Sequence, residues 1–122
     1  MRHASILCVD ENPAVLHSME ALLRSAGHSV TVARYAADGV LLLKAFQFDM
    51  VLLDCVPAFT WLTGEAKRMH RNMRVAVCTD VPGYFQLPFV DAVLQMPLPA
   101  PVFLKKIAEL LATAPATEAI WE

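Results

Sequence analysis

The sequence of 122 residues has little charge, few cysteines and no long apolar run. Charged residues make up 18% of it and hydrophobic residues 57%, a composition that excludes a disordered chain. The formal net charge of −2 gives no electrostatic case for binding nucleic acid. No stretch approaches the ~18 consecutive apolar residues of a membrane span. We expect one domain over residues 1–114, followed by a tail or the start of a linker over residues 115–122.

The three cysteines, Cys8, Cys55 and Cys78, are too few and too far apart for a disulfide framework or a zinc ribbon. We interpret them as small buried apolar residues. The beginning of the chain lacks the length and the small-residue cleavage site of a signal peptide. These absences predict a cytoplasmic protein that does not interact with membranes.

The strongest structural signal is the apolar run from Met50 to Leu53, which ends at Asp54. Such a run, closed by Pro57, is typical of a strand that is buried on both faces of a parallel sheet. Ligands of these sheets bind at the carboxyl ends of the strands. Asp54 is therefore either a site residue or a cap for the following turn, and this stretch alone does not decide between them.

The rest of the chain alternates between strand and helix patterns. Asn12 and Pro13 predict the start of the first helix, and Gly27 predicts its end. After Pro57 we expect a loop and then a short helix capped by Thr63, with a solvated basic face. The strands are predicted over residues 5–9, 29–34, 50–54, 74–79 and 91–96. This order predicts an α/β fold, a doubly wound five-stranded parallel sheet in the order 2-1-3-4-5.

Acidic residues follow two neighbouring strands of this sheet. Strands one and three bring Asp10, Glu11 and Asp54 to one edge, and Thr79 ends strand four beside them. Close carboxylates repel one another unless a cation lies between them, and oxygen ligands suit Mg²⁺ or Mn²⁺. With such an ion bound, one carboxylate can attack a phosphoryl group and form an acyl phosphate. The Thr79 hydroxyl can then hydrogen-bond a phosphoryl oxygen.

The chain resembles the receiver (REC) domains of two-component response regulators over about residues 6–111. The resemblance rests on residues 6–13 (ILCVDENP), 48–54 (FDMVLLD) and 75–79 (VAVCT), and on Met96 with the proline after it. It implies a flavodoxin-like fold and a non-enzymatic phosphoprotein of a phosphorelay. Its partner would be a sensor histidine kinase or a phosphotransfer protein.

The resemblance also implies a role for each acidic residue. Asp54 corresponds to the phosphoacceptor and Thr79 to the switch hydroxyl. Asp10 and Glu11 correspond to the acidic pair that holds Mg²⁺, together with Asp54 and the backbone carbonyl of Val56.

The sequence departs from the receiver pattern around the phosphoryl pocket. Met96 stands where the family has a lysine that contacts the phosphoryl group. Glu11 replaces the usual aspartate, the loop after Asp54 is one residue short, and Val93 replaces the switch aromatic residue. Prolines and a glycine interrupt residues 81–89, so we expect the family's fourth helix to be shortened or lost.

These departures leave two functions open. One is an atypical receiver that is phosphorylated at Asp54. The other is a pseudo-receiver that works without phosphorylation and docks a partner, or dimerises, through residues 81–89 and the last helix. A phosphohydrolase of the haloacid dehalogenase type would need a second acid at Val56. A flavodoxin-type site is disfavoured because the acidic loop at residues 10–13 would repel a phosphate.

Overall fold

The computed structural model describes residues 3–54, 57–80 and 89–113. These residues contain five strands and four helices. They are β1 (Ser5–Val9), α1 (Pro13–Ser25), β2 (Ser29–Ala33), α2 (Ala36–Ala45), β3 (Met50–Asp54), α3 (Pro57–Met69), β4 (Arg74–Thr79), β5 (Ala92–Gln95) and α4 (Ala100–Ala112). The strands form one parallel sheet in the order β2-β1-β3-β4-β5. The predicted doubly wound fold and strand order are confirmed.

Two apolar layers cover the two faces of this sheet. Side chains of α1 and α4 pack on one face, around Leu52 and Phe103. Side chains of α2 and α3 pack on the other, around Val51 and Phe59. Burying one such large side chain contributes about 1.5–3 kcal/mol, so the apolar run of β3 holds both layers together. No helix in the described residues is long and apolar enough to cross a membrane.

The predicted ends of the first helix are confirmed. The Asn12 side chain accepts a hydrogen bond from the Ala14 amide at 2.9 Å, and Pro13 is the first helical residue. Gly27 follows the helix with a φ of +94°, a left-handed conformation that favours glycine. The loop after β1 therefore leads directly into α1 and fixes the direction in which the chain leaves the sheet.

The third helix is longer than the sequence predicted. The expected loop at residues 57–61 is wrong, because α3 begins at Pro57, and Thr63 is buried within the helix and does not cap it. Proline is well tolerated in a first turn, and burial of Phe59 and Leu62 favours the extra turns. Residues 81–88, where a shortened or lost helix was expected, and the predicted tail lie outside the described residues.

Three side chains, each just before a strand, accept a hydrogen bond from a backbone amide at the start of the neighbouring strand. His28 Nδ1 accepts from the Ala4 amide at 3.0 Å, and Asp49 accepts from the Ser5 amide at 2.8 Å. Asp91 accepts from the Val75 amide at 2.7 Å. These bonds lie at the amino ends of the strands and help to fix the register there, which leaves the carboxyl ends aligned.

Candidate functional site

Three of the predicted site residues lie on neighbouring strands at the carboxyl edge of the sheet. Val9 pairs with Leu53 at the end of the β1–β3 ladder, so Asp10 and Asp54 are the next residue on each strand. Asp54 pairs with Cys78, and Thr79 follows Cys78 on β4. The structure therefore brings Asp10, Asp54 and Thr79 to one edge, as the strand order predicted.

Asp10 is the most buried of the acidic residues at this edge. Its side chain accepts a hydrogen bond from the Asn12 amide at 2.8 Å, and its own amide donates to the Ala33 carbonyl at 3.1 Å. Burial raises the pKa of Asp10, the charge of Glu11 adds to that rise, and the bond from Asn12 opposes it. Burial and the charge of Glu11 therefore disfavour the ionised form of Asp10, and a bound cation would stabilise that form.

The charges of Asp54 and Asp10 both act on Cys78. Burial raises the pKa of Cys78 to about 12, and these two carboxylates add to the effect in that order. Burial likewise raises the pKa of Cys8 to about 12. Both thiols are buried and stay protonated at neutral pH, which agrees with their interpretation as small buried residues. Cys55 lies outside the described residues.

Glu11 takes no part in a cluster with Asp10 and Asp54. Its side chain is exposed, and the described residues contain no group of three His, Cys, Asp or Glu side chains placed to hold a metal ion. Mg²⁺ commonly binds proteins through only one or two carboxylates and keeps several waters. Asp10 and Asp54 place two carboxylate residues at neighbouring strand ends, the number of protein carboxylates that Mg²⁺ commonly uses. Val56, the other predicted ligand, lies outside the described residues.

Comparisons with known proteins identify the fold. No family model matches the sequence. The CheY-like receiver domain protein of Methanospirillum hungatei JF-1 is 27% identical, with a TM-score of 0.78 over 91% of this chain and 95% of that one. The receiver domain of sensor histidine kinase PA1611 from Pseudomonas aeruginosa, crystallised with magnesium in its active-site cleft, is 22% identical, with a TM-score of 0.79 over 92% of this chain and 100% of that one. This chain has the receiver-domain fold.

Two further proteins are similar to this chain, one in structure and one in sequence. The response regulator TrrA of Thermotoga maritima, solved with Mg²⁺ and BeF, is 18% identical, with a TM-score of 0.79 over 87% of this chain and 97% of that one. PilH of Pseudomonas aeruginosa is 40% identical over 53 residues. That match spans 43% of this receiver-fold chain and 44% of PilH, less than half the length of the relative. The resemblance to response-regulator receivers is confirmed.

Met96, which the resemblance aligns with the receiver lysine, is partly buried and packs against the apolar core. Its amide donates to the Thr79 carbonyl at 2.7 Å, which places it next to the acidic edge. Its side chain packs against the core cluster under α1 and α4. It lines an apolar groove of about 390 Å³ together with Leu98 and Phe103. Position 96 of this receiver fold therefore contributes apolar contacts and no positive charge.

Arg34 is a residue at this edge that the sequence analysis missed. It directly follows β2, and its Nε donates to the Glu11 carbonyl at 3.2 Å. Its guanidinium carbon lies 5.4 Å from the centre of the Tyr35 ring, a cation–π distance. The signal that could have revealed it is its place at a strand end next to the acidic pair.

Proposed function

We propose that this chain is an atypical receiver domain of two-component signal transduction, in which Asp54 accepts a phosphoryl group. The observation that carries the proposal is the alignment of Asp10, Asp54 and Thr79 on three neighbouring strand ends. The donor would be a sensor histidine kinase or a phosphotransfer protein. The receiver-domain fold supports this partner class.

The reaction at Asp54 is a transfer between two nucleophiles. A carboxylate oxygen of Asp54 attacks phosphorus, the bond from phosphorus to the donor breaks, and the donor keeps that electron pair. Asp10 and Asp54 would hold Mg²⁺, with Glu11 and the Val56 carbonyl as further candidate ligands. When bound, the ion neutralises part of the charge that gathers on the phosphoryl oxygens.

Thr79 supplies a hydroxyl beside the modified residue. Its side chain is buried, and it follows Cys78, the residue that pairs with Asp54. An acyl phosphate adds roughly −1.5 to −2 charges and three acceptor oxygens, by analogy with other phosphorylated side chains. The Thr79 hydroxyl would donate to one of these oxygens. That bond would favour one of two existing conformations of the domain.

Met96 favours a second candidate function, a pseudo-receiver that works without phosphorylation. The side chain is an uncharged thioether that packs against the apolar core, so position 96 offers no ammonium group to a bound phosphoryl group. Such a domain would act as a protein-interaction or dimerisation module. Residues 81–89 and the last helix are its candidate contact region.

The deciding experiment is the intact mass of the protein after incubation with Mg²⁺ and acetyl phosphate. We expect the wild type to gain one phosphoryl group and Asp54→Asn to gain none. Asp38→Asn is the matched control, because it removes an exposed carboxylate in the first turn of α2 and should leave labelling intact. A folded wild type that gains no mass with this donor, or with a panel of histidine phosphotransfer proteins, would favour the pseudo-receiver.

A further inference from the structure

In the part of the chain that the structure describes, the carboxyl edge of the sheet has one basic residue and several acidic ones. Within the described residues, the segments that follow the strands at this edge are residues 10–12, 34–35, 80 and 96–99. Among all the lysines and arginines of the sequence, Arg34 alone lies in these segments. Asp10, Glu11, Asp54 and Asp80 lie in the same segments or end the strands before them. Arg34 can therefore supply positive charge to an anion that binds at this edge.

The backbone places Arg34 level with Asp10. Ala33 pairs with Val9, so Arg34 and Asp10 are the next residues on β2 and β1. Asp54 follows on the far side of β1, two strand spacings or roughly 10 Å from Arg34. That separation is close to the Debye length of about 8 Å at physiological salt. A phosphoryl group on Asp54 would bring negative charge closer to Arg34 than the carboxylate is.

The Arg34 side chain is positioned at the edge by one hydrogen bond and has further hydrogen-bond donors available. Nε donates to the Glu11 carbonyl and the guanidinium lies over Tyr35, while the two Nη groups make no further hydrogen bond within the described residues. A guanidinium binds phosphate oxygens through two parallel hydrogen bonds, which an ammonium group cannot do. The exposed bond to Glu11 is long, so exchanging it for a charge-assisted bond to an anion is favourable.

We propose that Arg34 binds the phosphoryl group carried by Asp54 and so supplies the positive charge that Met96 does not. This role rests on the proposed function, because it needs an anion at Asp54. In this chain a residue at the end of β2 would bind the phosphoryl group, because Met96, after β5, carries no charge. It also explains how a pocket with Met96 could retain a phosphoryl group.

A charge at this position acts in opposite directions on a cation and on an anion. Removing the guanidinium should weaken anion binding, and it should also strengthen Mg²⁺ binding to Asp10 and Asp54 because one repulsive charge is gone. A purely structural role for Arg34 would lower both affinities together. The two affinities of one variant therefore distinguish electrostatic action from support of the fold.

The test is a calorimetric titration of the folded protein with Mg²⁺ alone, and then with beryllofluoride at saturating Mg²⁺. For Arg34→Gln we expect about three- to tenfold weaker beryllofluoride binding, the size of one partly screened charge contact, and unchanged or tighter Mg²⁺ binding. Arg34→Lys should lie between the wild type and Arg34→Gln, because it keeps the charge without the planar fork. Lys44→Gln is the matched control, since it removes an exposed cation in the last turn of α2, at the opposite edge.

Each outcome decides the role of Arg34. Unchanged beryllofluoride affinity in Arg34→Gln overturns it and leaves phosphorylation of Asp54 standing. Parallel loss of both affinities also overturns it, in favour of a structural role. A wild type that binds Mg²⁺ but no beryllofluoride, and gains no mass with acetyl phosphate, overturns this role and the phosphoacceptor function together.

Discussion

Lys67 and Asp91 form an ion pair inside the protein. Lys67 Nζ lies 2.8 Å from an Asp91 oxygen, and the two side chains are 2% and 6% exposed. Lys67 also donates to the Met73 carbonyl at 2.5 Å, and Asp91 accepts from the Val75 amide. The pair therefore connects α3 to the amino ends of β4 and β5. The basic face of this helix was predicted to be solvated, and for Lys67, which is buried, that prediction is wrong.

Removing one partner of this pair should destabilise the fold strongly. Lys67→Met leaves the Asp91 carboxylate buried without its counter-charge, which costs about 3–5 kcal/mol. Urea unfolding at neutral pH measures the loss. Arg68→Met is the control, because the neighbouring Arg68–Glu65 pair is exposed and should contribute under about 1 kcal/mol. Equal effects of the two substitutions would show that Lys67 is not buried with its partner.

His28 should make the stability of the fold depend on pH. Burial lowers its pKa, the charge of His3 adds to that, and Asp49 acts against it. The folded-state pKa of His28 lies below the usual ~6.5. Neutral His28 therefore stabilises the fold fully above pH ~6.5, and this stabilisation is lost as the pH falls through the lowered pKa. Protonation of Nδ1 would also break its bond with the Ala4 amide.

The measurement is the free energy of unfolding in urea from pH 7.5 to pH 5. His28→Asn keeps an acceptor near the Ala4 amide but has no proton to gain, so it should flatten part of the decline. His17→Asn removes an exposed histidine of α1 and should leave the decline unchanged. A wild-type profile that His28→Asn does not alter would contradict the assignment.

Two glycines should respond to alanine in opposite directions. At Gly27 a Cβ would strain the left-handed backbone and lie 2.7 Å from His3 Nε2, so Gly27→Ala should cost about 1 kcal/mol or more. At Gly64, inside α3, a Cβ would meet Phe89 at an ordinary 3.6 Å. Gly64→Ala should therefore gain up to about 1 kcal/mol of helix propensity. Thermal unfolding of both variants measures the two changes in stability. A Gly27→Ala variant more stable than the wild type would contradict the left-handed backbone at this position.

Asp10 should matter more for Mg²⁺ than Glu11 does. Asp10 is buried beside the end of β3, whereas the Glu11 side chain is exposed and outside any cluster of three ligands in the described residues. We expect Asp10→Asn to weaken Mg²⁺ binding about tenfold or more, and Glu11→Gln to change it less than about threefold. Calorimetric titration with Mg²⁺ compares them. Equal losses would mean that Glu11 joins the site when the ion binds.

Two features of this protein could be predicted from sequence alone: the architecture and the edge of the sheet at which the candidate site lies. Apolar runs such as Met50–Leu53 report burial on both faces, and the alternation of strands and helices restricts the possible sheet orders. Asn12 and Gly27 mark helix ends through local backbone chemistry. These signals are readable because each depends on residues that are close together along the chain.

The contacts between side chains that are distant in sequence became visible in the folded structure. In the first helix Val15 is 39% exposed, whereas the next residue, Leu16, is buried. Lys67 and Asp91 pair across 24 positions of sequence, and Arg34 reaches Glu11 across 23. Such contacts depend on how helices rotate and pack against the sheet, which local periodicity does not fix.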